Sequence, residues 1–181
     1  TAPQLGAGPS LQVLCLCLCP SLDHSLPPFS ADLVTLPGGT LIAVDCQPNG
    51  FPLDESSLGG KALAAAYARH RPRLPDGGDI PEAARQYFSP AFLWSRLPSD
   101  VGEDRLHELL EPAFDDYFSA YLDMLEDARA LSSPADLQIA RDAQLDYAIY
   151  RLTRDPARPM RSGLFGAVSA ERLRGDCAFA L

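Results

Sequence analysis

The first fifty residues contain apolar runs of the length expected for β-strands. Leu11 to Cys19 is a largely apolar run ended by Pro20, and its length predicts a strand buried on both faces. Ala31 to Leu36 and Thr40 to Cys46 flank the segment Pro37-Gly38-Gly39. A short glycine-containing turn between two β-rich runs predicts a β-hairpin.

Helical patterns dominate the chain after Gly50. The predicted elements are, in order, helices at Lys61 to His70 and Pro81 to Gln86, a strand within Phe88 to Arg96, and helices at Glu103 to Ala130, Ser133 to Thr153 and Ser169 to Arg174. Pro112 is expected to kink or split the long amphipathic helix. In the following helix the residues expected to face inward are Leu137, Ala140, Leu145, Ala148 and Ile149.

The order of these elements predicts the fold class. Strands that come before helices favour an α+β fold with an antiparallel sheet over a parallel α/β fold. A length of 181 residues suits one domain spanning residues 1–181. Because the chain starts at Thr1 without a methionine or a secretory signal, we expect it to be an N-terminally truncated fragment of a longer domain.

The charge and hydropathy of the chain exclude two classes of partner. The net charge of −9 makes a wide nucleic-acid-binding surface unfavourable, because phosphate binding needs a basic surface. No run of 18 or more apolar residues is present, so no membrane span is predicted.

Five cysteines are present, an odd count that argues against a closed disulfide framework. Cys15, Cys17 and Cys19 alternate with leucines, which places them on one face of a strand. They are either a metal or redox cluster or, as the apolar surroundings favour, buried small hydrophobic residues. Their spacing is poor for tetrahedral zinc, and no metal site is predicted. Cysteines used as small hydrophobic residues also suggest a reducing compartment.

Generic catalytic motifs are missing from the sequence. It has no dinucleotide fingerprint, phosphate-binding loop or nucleophile elbow. The histidines His24, His70 and His107 are scattered, and each is expected to have a surface or loop role. The acidic pair Asp115-Asp116 is expected to lie on a solvated helix face.

Two aspartates have contexts that suggest chemistry. Asp32 begins an otherwise apolar strand and shares a face with Val34 and Leu36. On a core-facing strand, burial favours the protonated carboxylic acid, and a protein can use such an acid as a proton donor. Alternatively, Asp32 caps the strand entry or pairs with an arginine. Asp155 lies at a helix end before Pro156, where its simplest role is in a turn.

Taken together, ordered motifs along nearly the whole chain resemble the ferredoxin-dependent bilin reductases. The matching segments are Leu11 to Leu14, Phe29 to Val34, Pro37 to Pro48, Tyr87 to Arg96, Tyr121-Leu122, Gln144-Leu145, Tyr150-Arg151, Asp155 to Met160 and Phe165-Gly166. The resemblance implies a three-layer α/β/α sandwich with a central antiparallel sheet, and biliverdin between the sheet and the C-terminal helices. It is greatest to members that reduce biliverdin IXα at C15=C16.

The resemblance also implies roles for individual residues. Asp32 matches the family's central aspartate, the proton donor, and Asp155 matches a second acid on the helix side. Cys15 takes the place of a histidine or asparagine beside the bilin. The residues expected to meet the bilin propionates are Arg96, Arg151 and Arg158, and Met160 is expected to pack on the tetrapyrrole. Arginines between Arg151 and Arg174 are expected to dock ferredoxin.

These expectations define an oxidoreductase that needs no permanently bound cofactor or metal. Reduced ferredoxin supplies single electrons, and the next bilin reductase of the pathway is a candidate partner. The protein is then expected in the plastid stroma if the source is algal and in the cytoplasm if it is cyanobacterial. Two alternatives stay open: a member with another regiochemistry (phycoerythrobilin, phytochromobilin or phycocyanobilin forming), and a bilin-binding pseudo-enzyme.

Overall fold

One antiparallel sheet organises the part of the chain that the computed structural model describes, which is residues 12–154 without the side chains of 151 and 152. Its strands are β1 (Gln12–Leu18), β2 (Phe29–Leu36), β3 (Gly39–Cys46) and β4 (Leu93–Leu97), and they pair in chain order. This arrangement confirms the predicted α+β class with an antiparallel sheet.

The turn between β2 and β3 is the predicted hairpin. Leu36 pairs with Gly39, so Pro37 and Gly38 form a two-residue loop. Gly39 has φ +128°, and a Cβ there would overlap the carbonyl oxygen of Leu97 on the neighbouring β4. Glycine is needed at this position both for the backbone conformation and for the close approach of the two strands.

Within residues 12–154, four α-helices follow the hairpin, with β4 between the second and third. They are α1 (Leu58–His70), the single turn α2 (Glu82–Arg85), α3 (Glu103–Asp127) and α4 (Pro134–Arg154). α1 begins earlier than predicted because Ser57 caps it: the Ser57 hydroxyl accepts a hydrogen bond from the Gly60 amide at 3.0 Å. α3 is not split at Pro112. A proline has no backbone N–H, so the Glu108 carbonyl one turn earlier lacks its helical hydrogen bond. Pro112 and Glu108 are both exposed, so water can bond to this carbonyl instead.

The sheet packs on helices through one face, here called the inner face, which carries Phe29 and Ala31 of β2. Both residues are fully buried. The ring of Phe29 lies between 5.3 and 6.2 Å from three rings of α3. α1 in turn packs against α3. The apolar core contains, among others, Ile42, Val44, Cys46, Leu63, Ala66, Leu93, Leu109, Ala113, Tyr117 and Ala120.

Strand β1 lies at an edge of the sheet as described, which corrects the expectation that it is buried on both faces. Among the described strands it pairs with β2 alone. Five of its seven residues are exposed: Gln12 to Cys15 and Cys17. Cys15, Cys17 and Cys19 are therefore exposed rather than buried, whereas Cys46 is buried. An apolar run predicts a strand but does not predict which strands flank it.

Three further expectations about burial were wrong. Leu145 and Ile149 of α4 are 50% and 49% exposed, and only Ala140 and Ala148 of the five predicted inward residues are buried. His70 is buried rather than at the surface, because its Nε2 lies 2.7 Å from the carboxylate of Asp116. That carboxylate also accepts a hydrogen bond from Arg69 at 2.8 Å, so it is not simply a solvated helix charge.

Candidate functional site

The face of the sheet opposite the one that packs on α3 is here called the Asp32 face. Because Phe29 and Ala31 point into the core, the alternate residues of β2 point the other way. Asp32 does share its face with Val34 and Leu36, as predicted, but this face is not the one that packs on α3. Asp32 is consequently half-buried, not buried.

The strand register places Asp32 at the centre of a row across the sheet. Cys15 of β1 lies directly opposite it on one side and Ala43 of β3 on the other, and Ala43 in turn pairs with Trp94 of β4. Side chains directly opposite each other in antiparallel strands are close neighbours. Ala43 has a small side chain, and Cys15 is exposed.

Within residues 12–154, Asp32 has neither of the structural roles considered for it from the sequence. Among the described residues its carboxyl group accepts no hydrogen bond and forms no salt bridge. It lies in the middle of β2, four residues from Leu36, and not at a cap. Nothing in the described part of the chain therefore competes with a ligand for this carboxyl group.

Arg96 lies on the same face as Asp32, one row further along the sheet. It follows Trp94 by two residues on β4 and pairs with Leu41 of β3. Its side chain is exposed, and it forms no salt bridge with any residue between 12 and 154. A guanidinium group in this state can pair with a carboxylate of a ligand.

Aromatic rings border β4. Phe88 and Phe92 are stacked, with centroids 4.0 Å apart and planes within 4°, and Phe92 is nearly parallel to Trp94 at 6.2 Å. The Trp94 indole donates a hydrogen bond to the Gly78 carbonyl at 3.0 Å. A Cβ on Gly77 would overlap the Trp94 ring, so a glycine is needed there for close contact. These contacts fix the orientation of Trp94 in the central row.

A second aromatic group joins the loop before β4 to α4. The Tyr87 ring lies 5.2 Å from Tyr147 and 4.7 Å from Tyr150, and its hydroxyl donates to Asp146 at 2.7 Å. Desolvation and the Asp146 carboxylate raise the pKa of Tyr87 to about 12, which keeps this hydroxyl protonated and able to donate. Gln47, just after β3, donates to the Tyr147 hydroxyl at 2.8 Å.

Asp45 is a buried acid that the sequence reasoning missed. It follows Ala43 by two residues on β3 and is 0% exposed. It accepts hydrogen bonds from the Ser89 amide at 2.8 Å and from the Ser89 hydroxyl. Burial raises the pKa of Asp45 to about 6, although the hydrogen bonds from Ser89 oppose this shift. Its position inside an otherwise apolar strand was a usable signal, of the same kind that drew attention to Asp32.

Other predicted site residues are not placed by the structure. Arg151 lies in the last turn of α4, and nothing is described of its side chain. Asp155, Arg158 and Met160 lie outside the described residues, as do the predicted helix from Ser169 and most of the basic segment assigned to ferredoxin docking. The structure therefore brings together Asp32, Cys15 and Arg96.

The described residues contain neither a metal-binding cluster nor a membrane-spanning helix. Between residues 12 and 154, no three His, Cys, Asp or Glu side chains are grouped closely enough to hold a metal ion. No helix in that range has the length and apolar character required to cross a bilayer.

Fold and site together define an α+β protein whose sheet presents a carboxyl group, an arginine and flat aromatic rings on one face. Such a face is suited to a flat, conjugated ligand with acidic groups. A family model described as ferredoxin-dependent bilin reductase matches residues 2–179. The chain belongs to this family, which confirms the family inferred from the motifs and its assignment to the oxidoreductases.

Individual relatives agree with the family. Phycoerythrobilin:ferredoxin oxidoreductase of Prochlorococcus marinus strain NATL2A is 40% identical over 179 residues, covering 98% of this chain and 69% of that protein. The protein of the same name from Gloeobacter violaceus is 43% identical over 168 residues, covering 91% and 66%. The chain thus spans about two thirds of the length of these relatives.

A solved structure confirms the fold. Phytochromobilin synthase from tomato, crystallised in complex with biliverdin, superimposes with a TM-score of 0.82 at 24% identity. The match covers 94% of this chain and 61% of that one. At this level of identity the similarity concerns the arrangement of sheet and helices.

Proposed function

We propose that this chain reduces a bilin with electrons from ferredoxin, as an enzyme of phycobilin biosynthesis. The observation that supports this most is the position of Asp32: it lies at the centre of a row across the sheet, with no competing partner among the described residues. Family membership supplies the class of substrate and the electron donor.

The proposed chemistry adds two electrons and two protons to one carbon–carbon double bond. Ferredoxin gives one electron to the bound bilin, and Asp32 transfers its carboxylic proton to the resulting radical anion. A second electron and a second proton complete the reduction. Asp155 is the proposed source of the second proton. Asp32 is half-buried and can therefore be reprotonated from solvent.

Substrate contacts follow from the same arrangement. Arg96 pairs with a bilin propionate, and Trp94 offers a flat ring to the tetrapyrrole beside Ala43. Cys15 contacts the bilin next to Asp32. We further propose that Arg151 and Arg158 help to bind the propionates, that Met160 packs on the tetrapyrrole, and that the arginines from 151 to 174 dock ferredoxin.

Two regiochemistries are candidates. The Asp32 to Gly39 and Ala91 to Trp94 motifs favour reduction of biliverdin IXα at C15=C16 to 15,16-dihydrobiliverdin. The names of the relatives at 40–43% identity favour a phycoerythrobilin-forming reaction. The relatives are cyanobacterial, which supports the cytoplasm as the location if this chain is too; an algal source would place it in the plastid stroma.

The test is an anaerobic assay with reduced ferredoxin and, in parallel, biliverdin IXα and 15,16-dihydrobiliverdin, followed by chromatography of the products. The substrate consumed and the product formed decide the regiochemistry. Asp32→Asn should keep bilin binding, measured by absorbance, and lose about 10²–10⁴ of kcat, the usual contribution of a general acid. Asp100→Asn, at an exposed turn, is the matched control.

Binding without turnover of either substrate would instead support the pseudo-enzyme. If Asp32→Asn turned over as fast as the unaltered chain, Asp32 would not be the proton donor, and the proposed chemistry would be wrong.

A further inference from the structure

Two exposed thiols lie side by side at the edge of the sheet. Cys17 belongs to β1, and Cys19 follows its last residue, Leu18. Their Sγ atoms are 3.5 Å apart, and both residues are exposed. Residues two apart in an extended chain point to the same side, which explains why the two sulfurs meet. Cys46, on the inner face, is buried and offers an internal comparison.

We propose that Cys17 and Cys19 form a redox-active dithiol that a low-molecular-weight disulfide converts into an intrachain disulfide. One protein thiolate attacks a sulfur of the small disulfide, forms a mixed disulfide and expels one small thiolate. The second protein thiolate then attacks the mixed disulfide and expels the other. Two protein thiols are oxidised, and one small disulfide is reduced to two thiols, which take up the two protons.

The backbone allows this bond but strains it. Two residues that are two apart in a strand have Cα atoms about 6.6 Å apart, near the upper limit of about 6.8 Å for disulfides. Cys19 lies outside the paired part of β1, so it can move toward Cys17 without breaking the ladder. Cys15 has no such freedom, because it pairs with Asp32 in the middle of the strand. Strained, exposed disulfides are easily reduced, so the bond should be reversible.

The dithiol borders the Asp32 face. Cys17 pairs with Ser30 of β2, two residues before Asp32, and is therefore on the same face, one row from the Cys15–Asp32 pair. The proposed disulfide would form beside the candidate site, but the proposal does not depend on what that site binds.

The experiment is to treat the reduced full chain with glutathione disulfide at about pH 8, where an ordinary cysteine is partly ionised. Acid quenching, alkylation and tandem mass spectrometry then locate the modified residues. We expect a product two hydrogens lighter, linked at Cys17 and Cys19 and reversed by dithiothreitol. Cys46 should react at least about tenfold more slowly, because burial raises the pKa of its thiol.

Serine variants identify the pair. Cys15→Ser should still form the disulfide, whereas Cys17→Ser and Cys19→Ser should stop at mixed disulfides with glutathione. The proposal is wrong if either of the last two variants still forms an intrachain disulfide, or if the unaltered chain ends with glutathione on both residues.

A second probe needs no variant and no change in the backbone. Phenylarsine oxide joins two neighbouring thiols to one arsenic atom with loss of water. We expect one arsenical bound per reduced chain by native mass spectrometry, and none after oxidation by glutathione disulfide. Failure of the reduced chain to bind it would show that the sulfurs are not paired in solution.

Discussion

Asp45 allows a sharp test of how the sheet is packed, because its carboxyl group is fully buried against Ser89. Its pKa is raised from 3.8 to about 6 by burial. The folded state thus holds a proton that the unfolded state releases over this pH window, so stability falls as the pH rises from about 4 to 6. Since one pKa unit corresponds to about 1.4 kcal/mol, the total loss is about 3 kcal/mol.

The perturbation is Asp45→Asn, which keeps the size of the side chain and removes the titration. Unfolding by urea is measured for both proteins at pH about 4.5 and about 8, and the free energies of unfolding are subtracted at each pH. From pH about 4.5 to pH about 8, the difference in free energy of unfolding between the two proteins should change by about 2 kcal/mol, which is most of the total of about 3 kcal/mol. The change should make Asp45→Asn relatively more stable at the higher pH. All other titrating groups cancel in the subtraction.

Asp100→Asn serves as the control, because Asp100 is exposed in the turn before α3. Its difference from the unaltered chain should stay within about 0.5 kcal/mol at both pH values, as is usual for surface substitutions. A pH-independent difference for Asp45→Asn would refute the reasoning, because it would mean that water reaches the carboxyl group in the folded protein.

Two other substitutions test the packing of the helices by urea unfolding. Tyr117→Phe should cost about 1–2 kcal/mol, because the buried hydroxyl donates to the Ala91 carbonyl at 2.7 Å and its removal leaves that carbonyl unsatisfied; no loss would mean that the bond is not formed. Gly60→Ala should cost about 1–3 kcal/mol, since the new Cβ would overlap the Asp54 carbonyl, whereas Gly38→Ala has open space and should be nearly neutral; equal effects would contradict the described start of α1.

Local structure was predictable where a signal lay within a few residues. The hairpin at Pro37-Gly38 was confirmed because glycine at position 39 and the flanking β-rich runs act over a short range. The long helix α3 was predicted from its apolar spacing, and it continues through Pro112, where a kink or a split was expected. A proline on the exposed side loses a hydrogen bond that water can replace, and exposure depends on the packing of the whole helix.

Burial was less predictable than the elements themselves. The apolar run of β1 was correctly assigned to a strand but wrongly to the interior, and His70 was wrongly assigned to the surface. A side chain is buried by segments far away in the sequence: Asp116 on α3 accounts for His70, and the position of β1 at the sheet edge accounts for its exposure. Periodicity within one segment has no information about these partners.

The sequence by itself determined the class of fold, the hairpin, most of the helices and, through ordered motifs, the family. Only the tertiary structure decided which face of the sheet carries Asp32, that Cys15 lies opposite it with Arg96 one row away, and that Asp45 is buried against Ser89. The reason is that strand pairing and helix packing join residues as far as 100 positions apart, such as Gln47 and Tyr147, and their free energy depends on which surfaces are buried together.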